Sequence, residues 1–143
     1  MPKEGTAQGR LILDGSWEGN ELGKPLQITV KDGLLSSATG DSISADIESE
    51  FELASEGMRS GKGHLVRTFS EFSFGMNPRA KRGLGLLEDQ CWRGGAMFAF
   101  GNNSGLGGSA NVSINVRGLL IKPTIEIDGK AFVVDGKYMS RSR

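Results

Sequence analysis

The sequence predicts a mainly β, α+β domain: a curved, barrel-like, mostly antiparallel sheet with one long amphipathic helix. Three observations predict it. Glycine supplies 22 of the 143 residues, roughly double the usual ~7% share, which marks many turns and close backbone approaches. Several short stretches alternate apolar with polar residues and stop at Asp-Gly, a dipeptide that accepts the positive φ angles of tight hairpin turns. One stretch keeps a helical period instead. A chain of this length builds one hydrophobic core, so a single β domain is expected over residues 10–138, between a flexible arm at 1–9 and a basic tail at 139–143.

Taken in order, Met1 to Gly9 is polar and without periodicity, which is why it reads as a loose arm. Arg10 to Trp17 is an apolar run interrupted by Asp14-Gly15, and Leu26 to Lys31 alternates before Asp32-Gly33; both are expected strands. Ile43, Ile47, Phe51, Ala54 and Met58 then line one helical face, with Asp41 or Ser42 as the N-cap and Gly57, Gly61 and Gly63 as stop signals. From His64 to Phe74 the chain alternates as a long strand with room for a bulge, Phe69 and Glu71 falling on one side and Phe72 and Phe74 on the other. A short helical turn is expected in Leu84 to Trp92, with Leu84, Leu87, Cys91 and Trp92 on one face. Gly95 to Gly101 and Ala110 to Arg117 follow as strands around an Asn/Gly-rich loop. Asp128-Gly129 joins Thr124 to Ile127 with Lys130 to Val134 in a hairpin, and Asp135-Gly136 repeats the turn signal.

Lys+Arg 17 balance Asp+Glu 17, so no basic field for nucleic acid is indicated. One cysteine excludes an internal disulfide, the first residues lack a secretory apolar run, and no stretch has the ~20 apolar residues a membrane span needs. A cytoplasmic protein that engages neither nucleic acid nor membrane is expected. The catalytic inventory is sparse: His64, Cys91 and Tyr138 are each unique. His64 as a general base competes with His64 as a surface strand residue, which its unpartnered context favours. Cys91 beside Trp92 reads as a buried small hydrophobe ahead of a reactive thiol. Glu88 and Asp89 point apart on a helix, and Gly101 to Gly108 lacks the helix and lysine of a phosphate loop. Arg79 to Arg82 and Lys137 to Arg143 read as a solvated loop and a frayed end.

Four blocks carry a family resemblance: Glu71 to Ala80, Leu86 to Asp89, Gly95 to Asn103 and Pro123 to Gly129. In order and spacing they resemble the C-terminal part of the aminopeptidase T type of leucyl aminopeptidase. The Asn77-Pro78 and Leu87-Glu88-Asp89 blocks are shared with that family's dihydroxypyridine dioxygenase-like relatives. The resemblance spans most of Leu11 to Tyr138 and implies a homologous fold. It also implies losses, because Met97 stands where the family has a metal-binding histidine and Asn115-Val116-Arg117 stands in place of a His-x-Asp pair. Glu71 keeps the family's glutamate, and a single carboxylate facing Arg117, with which it can ion-pair, cannot hold a catalytic metal.

The resemblance therefore implies a pseudoenzyme with no catalytic residues, no metal and no cofactor. The expected function is that of a homodimeric peptide-binding protein on a metalloaminopeptidase scaffold, similar to the truncated aminopeptidase-like accessory proteins of crocagin-type ribosomal peptide biosynthesis. Its partners are then a precursor peptide and that peptide's modifying enzymes. The candidate peptide-binding residues are Glu71, Met97, Asn102, Asn103, Asn115 and Arg117. Two alternatives stand beside this reading: an enzyme with a repurposed, metal-independent site using Glu71 or His64 as a base on a peptide, and a structural dimerisation subunit of a larger enzyme.

Overall fold

The computed structural model describes residues 1–59, 61–83 and 86–139. The apolar run at the start of the chain breaks at Asp14-Gly15 into β1 (Gly9–Leu13) and β2 (Ser16–Trp17), and the two strands join different sheets. Gly15 makes the break possible, since a Cβ there would meet the Leu119 carbonyl oxygen at 2.9 Å. A Glu18-Gly19 turn, with φ angles of 49° and 79°, returns the chain as β3 (Asn20–Glu21). β4 (Leu26–Lys31) and β5 (Leu34–Thr39) flank Asp32-Gly33, whose φ angles of 50° and 73° are those of a type I′ hairpin. β1, β4 and β5 form one antiparallel sheet, in which Leu26, Ile28 and Val30 point to the core while their neighbours are partly exposed.

The helical period produces α1 (Ser44–Glu56), shorter at both ends than the apolar spacing from Ile43 to Met58. Asp41 does not cap it in the usual way; its Oδ1 accepts the Ile43 amide at 3.1 Å and its Oδ2 accepts the Lys24 amide at 2.8 Å, tying the helix start to the β3–β4 connection. Ile47 and Phe51 are buried beneath α1, as the periodicity requires.

The long strand expected at His64 to Phe74 is corrected. Gly63–Arg67 is a 3₁₀ turn, and β6 begins only at Phe69 and ends at Phe74. A bulge at Ser70 lies between the pairs Phe69↔Phe100 and Glu71↔Ala99. It brings Phe69 onto the face of Phe72 and Phe74, opposite Glu71, whereas simple alternation put Phe69 with Glu71. α2 is the short Leu86–Cys91, and the positions 84 and 85 included in the expected helical turn lie outside the described residues.

β7 (Gly95–Gly101) pairs with β6 on one side and with β8 (Asn115–Ile121) on the other. β8 starts several residues later than the alternation from Ala110 predicts. The five-stranded sheet runs in the order β3-β2-β8-β7-β6, and β9 (Ile125–Ile127), β10 (Lys130–Val134) and β11 (Lys137–Tyr138) form a separate meander. Its two turns, Asp128-Gly129 and Asp135-Gly136, have the expected positive φ angles. The molecule is thus mainly β with antiparallel sheets, but the barrel is corrected: the strands form three separate sheets, the core cluster is drawn from the first two together with α1, the 3₁₀ turn and the β7–β8 loop, and no barrel closes among the described residues. Residues 1–8, expected as a loose arm, are hydrogen-bonded to the body through Glu4, Ala7 and Gln8. Of the basic tail, Met139 bonds back to Phe132, while 140–143 lie outside the described residues.

Candidate functional site

The two faces of the five-stranded sheet are chemically distinct, and the register explains why. The row Phe72↔Phe98↔Gly118 lies on one face and the adjacent row Glu71↔Ala99↔Arg117 on the other.

On the first face the aromatic side chains of β6 and β7 stack in sequence. Phe69 and Phe98 have ring centroids 5.9 Å apart with planes at 23°, and Phe98 and Phe72 are 5.1 Å apart at 26°. Phe69 also meets the fully buried Phe100, which anchors the file against Trp17 in the core. Phe69, Phe72 and Phe98 form the floor of a pocket of about 610 Å³. Leu11 and Ile12 of β1, Leu120 of β8, Ile125 of β9 and Met1 and Pro2 of the arm line its sides, and it opens to solvent. Arg10, Thr124 and Glu126 bring polar groups to an otherwise apolar lining. None of these residues was a sequence-level candidate. The signal was the aromatic repeat Phe72-Ser73-Phe74 and Phe98-Ala99-Phe100, which puts rings on one face once the strands pair.

On the second face Glu71 and Arg117 lie in one cross-strand row, with Arg117 Nη2 3.7 Å from Glu71 Oε2, so the expected pair forms at long range. Gln90 of α2 donates Nε2 to Glu71 Oε1 at 2.8 Å and reaches Ser73 Oγ at 3.5 Å. Sequence reasoning missed Gln90, because it comes from a helix rather than from the sheet. The Arg117 amide donates to Glu18, and Arg117 Nε is buried with no partner among the described residues. Both oxygens of Glu71 thus face donors, which makes it a charge partner rather than an open base. Met97 shares this face one row along, opposite Ser73 and Leu119, and is almost fully buried.

The three asparagines form a different group. Asn102 Nδ2 donates to the Val112 carbonyl at 2.7 Å and its Oδ1 accepts from Ser104, while Asn115 Nδ2 donates to the Asn102 carbonyl at 3.2 Å. Asn103 is buried; its Oδ1 accepts the Ala110 amide at 2.9 Å and its Nδ2 donates to Glu4 Oε1 at 2.7 Å. Together they shape the loop between β7 and β8. The six candidates therefore divide: Glu71 and Arg117 share a cross-strand polar row, Met97 is buried one row along, and Asn102, Asn103 and Asn115 scaffold the loop.

His64 is exposed on the 3₁₀ turn. Cys91 is exposed as well, which corrects the expectation of a buried hydrophobe. Glu88 and Asp89 bind the preceding loop, accepting the Lys81 amide at 3.1 Å and the Gly83 amide at 2.6 Å. Among the described residues no three His, Cys, Asp or Glu side chains converge in a way that could hold a metal ion. No helix among them is long and apolar enough to cross a membrane.

No family model matches the chain, and no curated protein does. Among solved structures the fold matches 2,5-dihydroxypyridine dioxygenase from Pseudomonas putida KT2440, with a TM-score of 0.78 and 20% identity over 99% of this chain. The chain spans 42% of the length of that protein. At this identity the match shows a shared fold. It overturns the aminopeptidase T assignment, since the matched architecture is that of a dioxygenase and nothing supports an aminopeptidase domain. The crocagin-type, peptide-binding accessory reading rested on that assignment and falls with it. So does the label of non-catalytic pseudoenzyme, because the matched fold is that of an enzyme.

Proposed function

We propose that this domain binds a small, planar, largely apolar ring compound in the cavity floored by Phe69, Phe98 and Phe72. The file of three aromatic side chains carries the reading: Phe69, Phe98 and Phe72 give a ring-shaped guest aromatic partners along one side of a mostly apolar space of about 610 Å³, within the ~300–1,000 Å³ range of small-molecule sites. Arg10, Glu126 and Thr124 at an apolar rim suit the few polar substituents that would orient such a ring. The matched dioxygenase is named for a dihydroxylated pyridine, which is likewise a small planar ring although a more polar one. In this reading the Glu71–Gln90–Arg117 row braces the sheet from behind.

Titration with N-phenylnaphthylamine, an uncharged ring fluorophore, tests it. The expected result is saturable binding of one dye per chain. Ile12 lines the cavity yet is 48% exposed, so Ile12→Lys puts a charge into the site without disturbing the core, and affinity should fall about tenfold or more. Phe98→Ala should weaken binding similarly. Dye uptake that is non-saturable, or equal in Ile12→Lys and the wild type, would overturn the proposal.

A further inference from the structure

We infer that residues 1–7 form a strap whose Met1–Pro2 end walls one side of the aromatic cavity, and that the carboxylate of Glu4 is its latch. This assigns a regulation to the cavity and rests on the ligand-binding reading above.

Two anchors define the strap. At the first, the chain crosses the β4–β5 hairpin: the Gly33 amide donates to the Ala7 carbonyl at 2.9 Å, and Gly5 lies so near that a Cβ on Gly33 would be 2.6 Å from its nitrogen. At the second, Glu4 reaches the β7–β8 loop. Its Oε1 accepts from Asn103 Nδ2 and from the Ser109 amide, both at 2.7 Å, and its Oε2 accepts the Ser109 hydroxyl at 2.8 Å. Beyond these anchors Pro2 and Met1 extend onto the cavity and form part of its wall.

The receiving loop is built before the arm arrives. Asn103 is buried, its side chain holds the Ala110 amide, and its carbonyl accepts the Leu106 and Gly108 amides at 2.9 and 3.0 Å. A Cβ at Gly108 would collide with the Asn103 side chain, so the loop closes tightly around this residue. Glu4 itself is exposed. One solvent-accessible carboxylate on three fixed donors is strong enough to define a closed position and weak enough to open without unfolding the sheets. Releasing it frees the segment that carries Met1 and Pro2, while Ala7 stays pinned to Gly33 and acts as the hinge. Glu4 thus positions the cavity wall and touches no ligand.

Stopped-flow binding of N-phenylnaphthylamine to the intact chain decides the matter. Glu4→Gln and Glu4→Ala should each raise both the association and dissociation rates about fivefold, the worth of roughly one ordinary hydrogen bond, with the thermal midpoint nearly unchanged. Exchange of the Ser109 amide should accelerate in parallel. Ser109→Ala, which removes one of the three donors, should fall between Glu4→Ala and the wild type. Wild-type dye binding with unaltered rates in all three variants overturns the strap and leaves the cavity reading in place. A wild type that takes up no dye overturns both.

Discussion

Two glycines that both hold a positive φ have very different weights. Gly129 sits at φ 72° in the β9–β10 turn, and a Cβ there would meet nothing within 4 Å. Only the left-handed backbone opposes a side chain, so Gly129→Ala should cost about 1 kcal/mol. Gly101 is at φ 112°, a region closed to other residues, and an added Cβ would collide with the backbone carbonyl of Ile114. Its amide also donates to the Thr68 carbonyl at 2.8 Å, fixing where β7 ends. Neither the backbone nor the carbonyl can yield cheaply, so Gly101→Ala should cost about 3 kcal/mol or more. Urea denaturation of the two variants measures the contrast, and equal losses would refute it. Gly129 was legible in the sequence because its partner Asp128 announces the turn locally. Gly101 was not, since the group that excludes a side chain is the carbonyl of Ile114, 13 residues later and just ahead of β8.

At the scale of elements, α1 shows how a surface helix is fastened. Phe51 and Ile47 are buried below it, and Glu48 makes a two-sided clasp, accepting the Ala38 amide of β5 at 3.0 Å and Arg67 Nη2 at 2.8 Å. The Arg67 guanidinium also lies 5.3 Å from the centre of the Phe51 ring. Phe51→Ala should cost about 3–5 kcal/mol, because it empties the centre of a fully buried contact. A double-mutant cycle of Glu48→Ala and Arg67→Ala should return a coupling of about 1 kcal/mol, since both side chains remain partly solvated; a coupling near zero would mean that the clasp is only geometric. The four-four-three-four spacing made α1 legible, because burial of one face is a local pattern. The same logic misread His64 to Phe74. Leu65 and Val66 extend the apolar pattern ahead of Phe69 without alternating, and there the chain makes a 3₁₀ turn as it passes from α1 to the sheet. The bulge at Ser70 then reversed the parity of Phe69, and β5 went unrecognised because Leu34 to Thr39 has only Thr39 as a β-branched residue where its neighbour β4 has Ile28, Thr29 and Val30.

Over the whole molecule the candidate cavity is assembled from β1, β6, β7, β8, β9 and the arm, so no single stretch could reveal it, although the aromatic repeats that floor it were visible. Charge is distributed on the same scale, and three carboxyls respond to pH in opposite senses. Glu4 is held below the usual carboxylate range by the Ser109 amide first and then by Asn103 and the Ser109 hydroxyl; Asp41 is held below it by the amides of Ile43 and Lys24. What Glu4 contributes to holding the arm closed, and Asp41 to the stability of the fold, is complete above the ordinary carboxylate range and is lost as pH falls through the lowered values. Glu50 lies in a cleft between α1 and residues 113–116, where partial burial and then the Glu18 carboxylate push it up. The folded state therefore holds the Glu50 proton more tightly, and stability declines as pH rises through the raised value. Glu50→Gln fixes the uncharged form, so its thermal midpoint should exceed that of the wild type at about pH 7 and converge with it near pH 4, where the wild-type carboxyl is protonated. Asp41→Asn should act in reverse, lowering the midpoint at neutral pH and flattening the acid limb. Scanning calorimetry from about pH 3 to pH 8 resolves both effects, and wild-type and Glu50→Gln curves running parallel over that range would show that Glu50 senses neither its burial nor Glu18.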